Sequence, residues 1–501
     1  MDAPRPAAVT SDDVSPRLGR LGLILGPLLF AALLLLPPPA GLSAAGWRAA
    51  AVGALMAVWW VTEAAPIPAT SLLPLVLFPA LGVAPIDAAA APYANPLIFL
   101  FLGGFLLAAA MQRWGLHRRI ALTVVGAMGT RPASLVGGFM AATALISMWV
   151  NNTATAMMML PIGLSVVELV RPDDEGDTPR NFAPALMLGI GYAATLGGFG
   201  TLIGTAPNAL FAGFMRETYG YEVPFVAWMA VGVPMVVVTT PLCWLILTRL
   251  VYPLRGAEVP GGRALIRGEL RALGRVTRAE VLVALVFGSA ALLWIFRPLL
   301  ERWLPEGVLS DAGVAVGAAL LLFLLPSGEP GRRVLDWEAG RSMPWDLLLL
   351  FGGGLSLADA LTKTGLAAWL GDRLAGFDAL PTPVLVLLVV VVIVLLSELA
   401  SNTATAAAFL PVAGALALGV GENPLLLAIP ATLAASCGFM LPVATPPNAI
   451  AYGTGHVSMR QMLRAGAWLD VACALVILAV SYTAMLWAFG IGAGVVPAWA
   501  R

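Results

Sequence analysis

The sequence predicts an all-α polytopic membrane protein of about eleven transmembrane helices plus two re-entrant hairpins, arranged as two inverted repeats. Three observations predict it. The 501 residues are 59% hydrophobic and 11% charged, with zero formal net charge and a mean hydropathy of +0.89. A soluble domain carries about 25% charged residues, so this chain could not cover a water-facing surface. Secondly, "NNTATAMMMLPI" at 151–162 returns as "SNTATAAAFLPV" at 401–412, each inside an apolar run. Thirdly, further correspondences keep one register over much of the chain. A transmembrane barrel would show short alternating strands, and these are absent. The balanced charge offers nothing to a nucleic acid.

Runs near the roughly 17–25 apolar residues that span a bilayer occur at 21–36, 47–62, 69–83, 96–112, 183–203, 224–250, 279–296, 310–326, 345–361, 423–443 and 466–490. The first follows Arg17 and Arg20 and precedes "PPPAGLSAAG", superficially like a signal peptide. Its length and the spans that follow at once favour a retained helix. Two more apolar segments, 134–168 and 382–418, hold the repeated phrase. Arginine placement sets their topology. The clusters Arg113/Arg118/Arg119, Arg332/Arg333/Arg341 and Arg460/Arg464 join the basic stretch from Arg255 to Arg278 on one side only if each segment enters and leaves by one face. Each phrase therefore lies at the tip of a re-entrant hairpin, the first opening to the cytoplasm and the second outward. The N-terminus is then inside and the C-terminus outside. In "YPLRGAEVPGGRALIRGELRALGRVTRAE" arginine recurs about every four residues, which predicts an amphipathic helix on the inner surface.

The register is specific. "FLGGFLLAAAMQRWGL" resembles "LFGGGLSLADALTKTGL", with Gly104 against Gly354 (354 − 104 = 250) and Gly115 against Gly365 (365 − 115 = 250). Asn152 and Pro161 match Asn402 and Pro411 at the same offset. "GGFGTLIGTAPNAL" resembles "SCGFMLPVATPPNAI", with Asn208 against Asn448 (448 − 208 = 240). The extra polar loop "RPDDEGDTPRN" of the first half accounts for the difference. Hairpins opening to opposite faces make the repeats inverted. That is a secondary-transporter architecture, with a midplane site between discontinuous helices.

Non-helical backbone at membrane depth is tolerated only where it is buried in protein or lines a cavity. Four breaks are expected: the tips at 150–153 and 400–403, and the interruptions at 204–208 and 444–448. Thr205 and Thr445 read as N-caps, with Pro446 at the first helical position. Helices also begin at Asn152-Thr153 and Asn402-Thr403, so four N-termini converge. Each carries roughly half a positive charge, about +2 in all, and no lysine or arginine lies in these segments. Such a site suits a small dianion such as a dicarboxylate. Freed carbonyls, with Ser147, Asn151, Ser397 and Asn402, are oxygen ligands fit for Na⁺. Polar residues in membrane helices often only bond helix to helix; four clusters in two-fold register point to a site instead.

Other features weigh less. Asn151-Asn152-Thr153 matches a glycosylation signal only by chance, given its depth. Cys243, Cys437 and Cys473 give neither a disulfide framework nor metal spacing. Asp359 and Lys363 form a simple ion pair four residues apart. Glu398, an acid at membrane depth beside the second tip, is a functional candidate.

At "WWVTEAAPIPATSLLP" (59–74), "SMWVNNTATAMMMLPI" (147–162), "ELASNTATAAAFLPV" (398–412) and "FMLPVATPPNAIAYGTG" (439–455) the chain resembles the divalent anion:sodium symporter family, carriers of dicarboxylates, citrate and sulfate. The likeness covers nearly the whole chain in order. It implies a homodimer in which a scaffold holds the dimer contact and a transport domain moves as an elevator. The expected division is a cytoplasmic tail (1–20), scaffold (21–126), transport part (127–251, with hairpin 134–168 and broken helix 183–215) and amphipathic linker (252–278). The second repeat follows with scaffold (279–380), transport part (381–492, with hairpin 382–418 and broken helix 423–456) and an external tail (493–501).

The resemblance implies that substrate carboxylates bind Asn152, Thr153, Asn402 and Thr403, with Thr205, Thr445 and Pro446 lining the site. One sodium ion would take Ser147, Asn151, Asn152 and Gly204, and the other Ser397, Ala400, Asn402 and Ala444. The two sets are mates (397 − 147 = 250; 444 − 204 = 240). Two departures stand out: Asn151 where the family usually has serine, and Ala206 where it usually has proline. The expectation is a sodium-coupled importer of a C4 dicarboxylate such as succinate, malate or fumarate. It needs two or more sodium ions and no organic cofactor, and it is not an enzyme. A proton-coupled carrier, a sodium-independent exchanger, and a citrate or sulfate carrier share the fold. The expected location is a bacterial inner membrane.

Overall fold

Proline, glycine and capping residues punctuate the apolar runs, and the punctuation sets the helix boundaries. A computed structural model describes residues 16–169, 178–255, 259, 261–305, 308–374, 380–492 and 494–500. Most of the expected N-terminal tail and of the polar loop near 171–181 lies outside the described residues, as do parts of the linker and both ends of the short C-terminal tail. Among the described residues the chain is helical, with one isolated β-bridge between Pro326 and Arg333.

The first repeat opens with α1 (Pro16–Leu35) and α2 (Ala44–Thr62), then α3 (Ile67–Thr70), α4 (Leu73–Ala80), α5 (Ile86–Ala90) and α6 (Pro96–Arg113). After Gly115, in the left-handed region at φ +70°, come α7 (Leu116–Met128), α8 (Pro132–Ser147) and α9 (Asn152–Val167). The repeat ends with α10 (Thr178–Gly197), α11 (Ala206–Tyr219) and α12 (Phe225–Leu245), which widens to a π-helix at Ile246–Val251. The linker is α13 (Gly262–Ala272). The second repeat runs α14 (Arg278–Leu300), α15 (Asp311–Leu324), α16 (Trp337–Arg341), α17 (Trp345–Lys363) and α18 (Leu366–Leu374). It continues with α19 (Thr382–Leu399), α20 (Asn402–Gly419), α21 (Leu425–Ala435), α22 (Pro446–Gly453), α23 (Met459–Ser481) and α24 (Ala484–Phe489).

Ten helical stretches among the described residues are long and apolar enough to cross a membrane, by length and composition. Two of these, α19 and α20, are the arms of the second hairpin. The expected spans at 69–83, 310–326 and 423–443 are shorter apolar helices, Ile67–Ala80, Asp311–Leu324 and Leu425–Ala435. The first is split at Ser71-Leu72 because Pro74, in the first turn of α4, has no N–H to extend α3.

Each repeat also contains a helix that the span count did not foresee. α7 and α18 start at the repeat offset (366 − 116 = 250). Both are amphipathic, so their mean hydropathy falls below that of a span. The linker helix α13 forms where the arginine period placed it and packs on α7, where Glu269 meets Arg118 at 2.5 Å. α14 then begins at a capping box: Thr277 Oγ1 accepts from Glu280 N–H, and Glu280 Oε2 accepts from Thr277 N–H. Arg119 joins Glu280 at 3.1 Å and ties α7 to this corner.

Burial locates the centre of the molecule. Residues 182–200, containing most of α10, are entirely buried, whereas α1 packs chiefly on α2 and leaves most of its surface uncovered. The repeats lock across this centre. Tyr192 of α10 donates its hydroxyl to the Phe439 carbonyl at 2.8 Å. α12 and α23 start 234 residues apart (459 − 225 = 234), and each lays a glycine against the interrupted helix of its own repeat. A Cβ on Gly232 would meet the Phe199 carbonyl oxygen at 2.2 Å, and one on Gly466 would meet the Phe439 carbonyl oxygen at 2.2 Å. Those carbonyls are themselves mates (439 − 199 = 240). Gly232→Ala and Gly466→Ala should each destabilise the protein by about 1–3 kcal/mol through overpacking, read as a lower thermal midpoint in detergent. An unchanged midpoint would show that these helices approach less closely than described.

Candidate functional site

The two hairpins and the two interrupted helices meet tip to break. α8 ends at Ser147 and α9 restarts at Asn152 after four residues of turn; α19 ends at Leu399 and α20 restarts at Asn402. α10 gives way to a 3₁₀ turn at Gly198–Gly200 before α11, and α21 to an irregular stretch before α22. The pairing then crosses over: α9 packs against α22, and α20 against α11. The second arm of each hairpin thus packs on the restarted helix of the other repeat.

The backbone at each break is held by an asparagine that sequence reasoning treated only as a register mark. Asn208 Nδ2 donates to Gly198 O at 3.0 Å and to Thr201 O at 2.8 Å. Asn448 Nδ2 donates to Gly438 O at 2.9 Å and to Leu441 O at 3.1 Å. All three positions keep one offset (438 − 198 = 240; 441 − 201 = 240; 448 − 208 = 240). An unwound turn inside protein needs its carbonyls satisfied, and a side-chain amide supplies the donors. The signal was present in "TAPN" and "TPPN", but nothing in a single sequence shows which carbonyls lie ten and seven residues back in space.

The caps differ between halves. Thr445 Oγ1 accepts from Asn448 N–H at 3.3 Å, whereas Thr205 caps nothing with its side chain. Their backbone angles nevertheless agree, φ −145°, ψ 152° at Thr205 and φ −143°, ψ 146° at Thr445. The break keeps its geometry with Ala206 in place of proline. Asn151 is the N-cap of α9: its Oδ1 accepts from Ala154 N–H at 2.8 Å. Ser401, its mate, makes no such bond. Asn151 is therefore engaged locally, with one lone pair left on the same oxygen.

The residues named from sequence fall into two layers. Ser147, Gly204, Ser397, Ala400 and Ala444 are buried; Asn151, Asn152, Thr153, Asn402 and Thr403 are half-buried. In the first repeat Ser147 Oγ lies 2.6 Å from Ala194 O and 2.8 Å from Asn152 Oδ1. One proton serves both. Gly204 sits beside the Gly198 and Met148 carbonyls, and Thr201 donates its hydroxyl to Met148 O. In the second repeat Ser397 Oγ donates to Ala435 O at 2.9 Å. Gly438 there lies against Ala444, the Ser397 carbonyl and Asn402 Oδ1. Asn402 Oδ1 is buried without a donor, as are Asn208 Oδ1 and Asn448 Oδ1. The Thr153 and Thr403 hydroxyls make no hydrogen bond among the described residues. Thr205 is half-buried, Thr445 buried and Pro446 exposed.

The chemistry of this region is therefore two-fold. Buried oxygen atoms without donors suit a hard cation, and the half-buried first turns of helices with free hydroxyls suit an anion. Glu398 adds a fixed support. Its Oε1 accepts from Phe439 N–H (2.6 Å) and Met440 N–H (2.9 Å), and its Oε2 from Leu441 N–H (3.0 Å). These N–H groups belong to the irregular stretch between α21 and α22, so the carboxylate holds the second break from the hairpin side.

Comparison with known proteins agrees with this arrangement. The family model described as the sodium:sulfate symporter transmembrane region matches residues 20–489. The sodium-dependent dicarboxylate transporter SdcS of Staphylococcus saprophyticus subsp. saprophyticus is 44% identical over 479 residues, covering 94% of this chain and 92% of its own. SdcS of Staphylococcus aureus (strain USA300) is 44% identical over 478 residues with the same coverage. Among solved structures, MtrF of Neisseria gonorrhoeae, from a class of antimetabolite efflux pumps, superposes with a TM-score of 0.59 over 96% of both chains at 15% identity. The YdaH transporter of Alcanivorax borkumensis gives 0.53 over 95% of this chain and 97% of its own at 18% identity. Those two likenesses bear on the fold alone. A match across nearly the whole length, with close relatives in register, leaves one conclusion: the chain belongs to the sodium:sulfate symporter family of membrane transporters and is not an enzyme.

Proposed function

We propose that the protein is a sodium-coupled importer of a small dicarboxylate of C4 size. The observation that carries the reading is the pair of Asn-Thr tips, each beside the other repeat's restarted helix. The 44%-identical relatives named as sodium-dependent dicarboxylate transporters support both the ion and the substrate class. In this reading Asn152, Thr153, Asn402 and Thr403 hold the two carboxylates, with Thr205, Thr445 and Pro446 around them. Ser147, Asn151, Asn152 and Gly204 hold one sodium ion, and Ser397, Ala400, Asn402 and Ala444 hold the other. Bound sodium supplies the positive charge that the side chains lack, so cation and dianion favour each other's binding. That is coupling by reciprocal free energy.

Movement follows as an elevator. The segments 127–251 and 381–492, carrying both hairpins, travel as one body against a scaffold of 21–126 and 279–380 that holds a homodimer. Trp149, at the first tip, stacks with Phe225 and Trp294 at ring distances of 6.3 and 6.4 Å and meets Phe287 edge-on at 5.2 Å. α14, which provides Trp294 and Phe287, belongs to the scaffold, so these rings are part of the surface along which the moving body slides. The protein sits in a bacterial inner membrane with its N-terminus inside.

Labelled succinate uptake into proteoliposomes tests the reading. Uptake should require an inward Na⁺ gradient, persist with an empty interior and vanish when K⁺ replaces Na⁺. Uptake that ignores Na⁺ but needs internal dicarboxylate would replace the symporter with an exchanger; citrate or sulfate outcompeting succinate would replace the substrate. Thr403→Ala removes one hydrogen bond to a carboxylate, worth about 1.5–3 kcal/mol. Its KM for succinate should rise about tenfold or more, with the folded protein recovered normally. Ser397→Ala should instead raise the Na⁺ concentration needed for half-maximal uptake. An unchanged Na⁺ dependence would remove Ser397 from the cation site.

A further inference from the structure

A cleft opens away from the hairpins, where the linker helix packs on the first repeat. It encloses about 290 Å³ between α7 and α13, and its lining includes Gly126, Gly129, Thr130, Arg263, Ile266 and Arg267. The chain builds it locally. Gly129 closes α7 at φ +94°, a backbone conformation that side chains disfavour. The turn brings Thr130 to the linker, where its carbonyl accepts from Val259 N–H at 2.9 Å. Gly126 leaves its side of the space open, and Ile266 stands opposite, since a Cβ on Gly126 would lie 3.6 Å from Ile266 Cγ2.

The charge of this cleft is one-sided. Arg263 and Arg267 lie one turn apart on α13, are exposed, and form no ion pair among the described residues. Glu269, the one acid of α13, is already held by Arg118. The helix starts after Gly261 with no capping side chain and no acid in its first turn, so its N-terminus adds a partial positive charge. Thr130 makes a second, independent observation. It is 5% exposed, and its hydroxyl has no hydrogen-bond partner. Buried hydroxyls are ordinarily partnered, and this one borders a space whose charged groups are both cations.

We propose that the cleft binds a phosphate-bearing anion, the headgroup of an anionic phospholipid. Arg263 and Arg267 pair with the phosphate from the rim, as arginine forks do. Thr130 donates from the floor, with a hydroxyl hydrogen that rotates to suit. Position favours a lipid over a free ion. α8 starts two residues after Thr130 (132 − 130 = 2), and α14, long and apolar enough to cross a membrane, starts six residues after α13 ends (278 − 272 = 6). The cleft thus lies where apolar helices begin, the level of headgroup phosphates. α13 buries Ile266 and half-buries Leu265 and Leu270, which suits a helix in the interface plane, and basic pockets at that depth attract anionic headgroups. No residue of the hairpin site takes part, so the inference stands apart from the proposed substrate and coupling ion.

Lipid titration of the full-length protein in non-ionic detergent, read by native mass spectrometry, tests it. Phosphatidylglycerol should be retained at one saturable site and phosphatidylcholine should not. Inorganic phosphate should displace the lipid only at far higher concentration. The double variant Arg263→Gln, Arg267→Gln should bind phosphatidylglycerol at least about tenfold more weakly, and Thr130→Val about tenfold more weakly. Arg275→Gln, outside the cleft, should bind as wild type. No saturable retention by wild type, or unchanged retention by the double variant, overturns the site. An equal loss in Arg275→Gln reduces the effect to general surface charge and overturns the cleft. Inorganic phosphate binding as tightly as the lipid overturns the lipid as occupant, and wild-type affinity in Thr130→Val overturns the role of the hydroxyl. Should Thr130→Val fail to fold, Thr130→Ala carries the same test.

Discussion

A helix interrupted within a bilayer frees backbone N–H and C=O groups that no water can reach, and each unsatisfied group costs several kcal/mol. Most of what is distinctive in this protein answers that constraint. Asn208 and Asn448 satisfy carbonyls, Glu398 satisfies three N–H groups, and Thr201 reaches across to Met148. The turns are closed by protein atoms as far as possible. What remains open are the donor-free amide oxygens and the first turns of four helices, and on the proposed function these are the groups that bind.

The two repeats meet this constraint by different means. The asparagine clamps are symmetric to the residue, as are the glycines that let α12 and α23 press on the breaks. The acids are not: Glu398 and Asp470 face Met148 and Val236 in the other half. One break is held by neutral groups, and the other also by the Glu398 carboxylate.

Much of this was legible in the sequence. Composition fixes the solvent, because a chain with 11% charged residues can be buried only in lipid. Helix starts were readable because caps and prolines act locally: Thr445 and Pro446 open α22 where they were expected to. The repeat offsets made the hairpins and breaks visible as pairs, since duplicated segments keep their order along the chain. α7 and α18 were missed because amphipathic surface helices lack the apolar length of a span.

Tertiary structure decided everything that depends on distance between separate elements. That one arm of each hairpin packs on the opposite repeat's restarted helix follows from how the hairpins and interrupted helices pack, and no local pattern encodes it. Asn151 reads as a ligand in sequence but spends a lone pair on the cap of its own helix. Asp470 lies among apolar neighbours in the sequence and carries no motif; only the fold shows that it is buried. Sequence by itself determined which segments could be helical, where they break and which lipid-depth groups are polar. Those properties are local, set by propensity, capping and period. Which of the freed groups find partners is a property of contacts between helices distant in the chain, and the structure alone settles it.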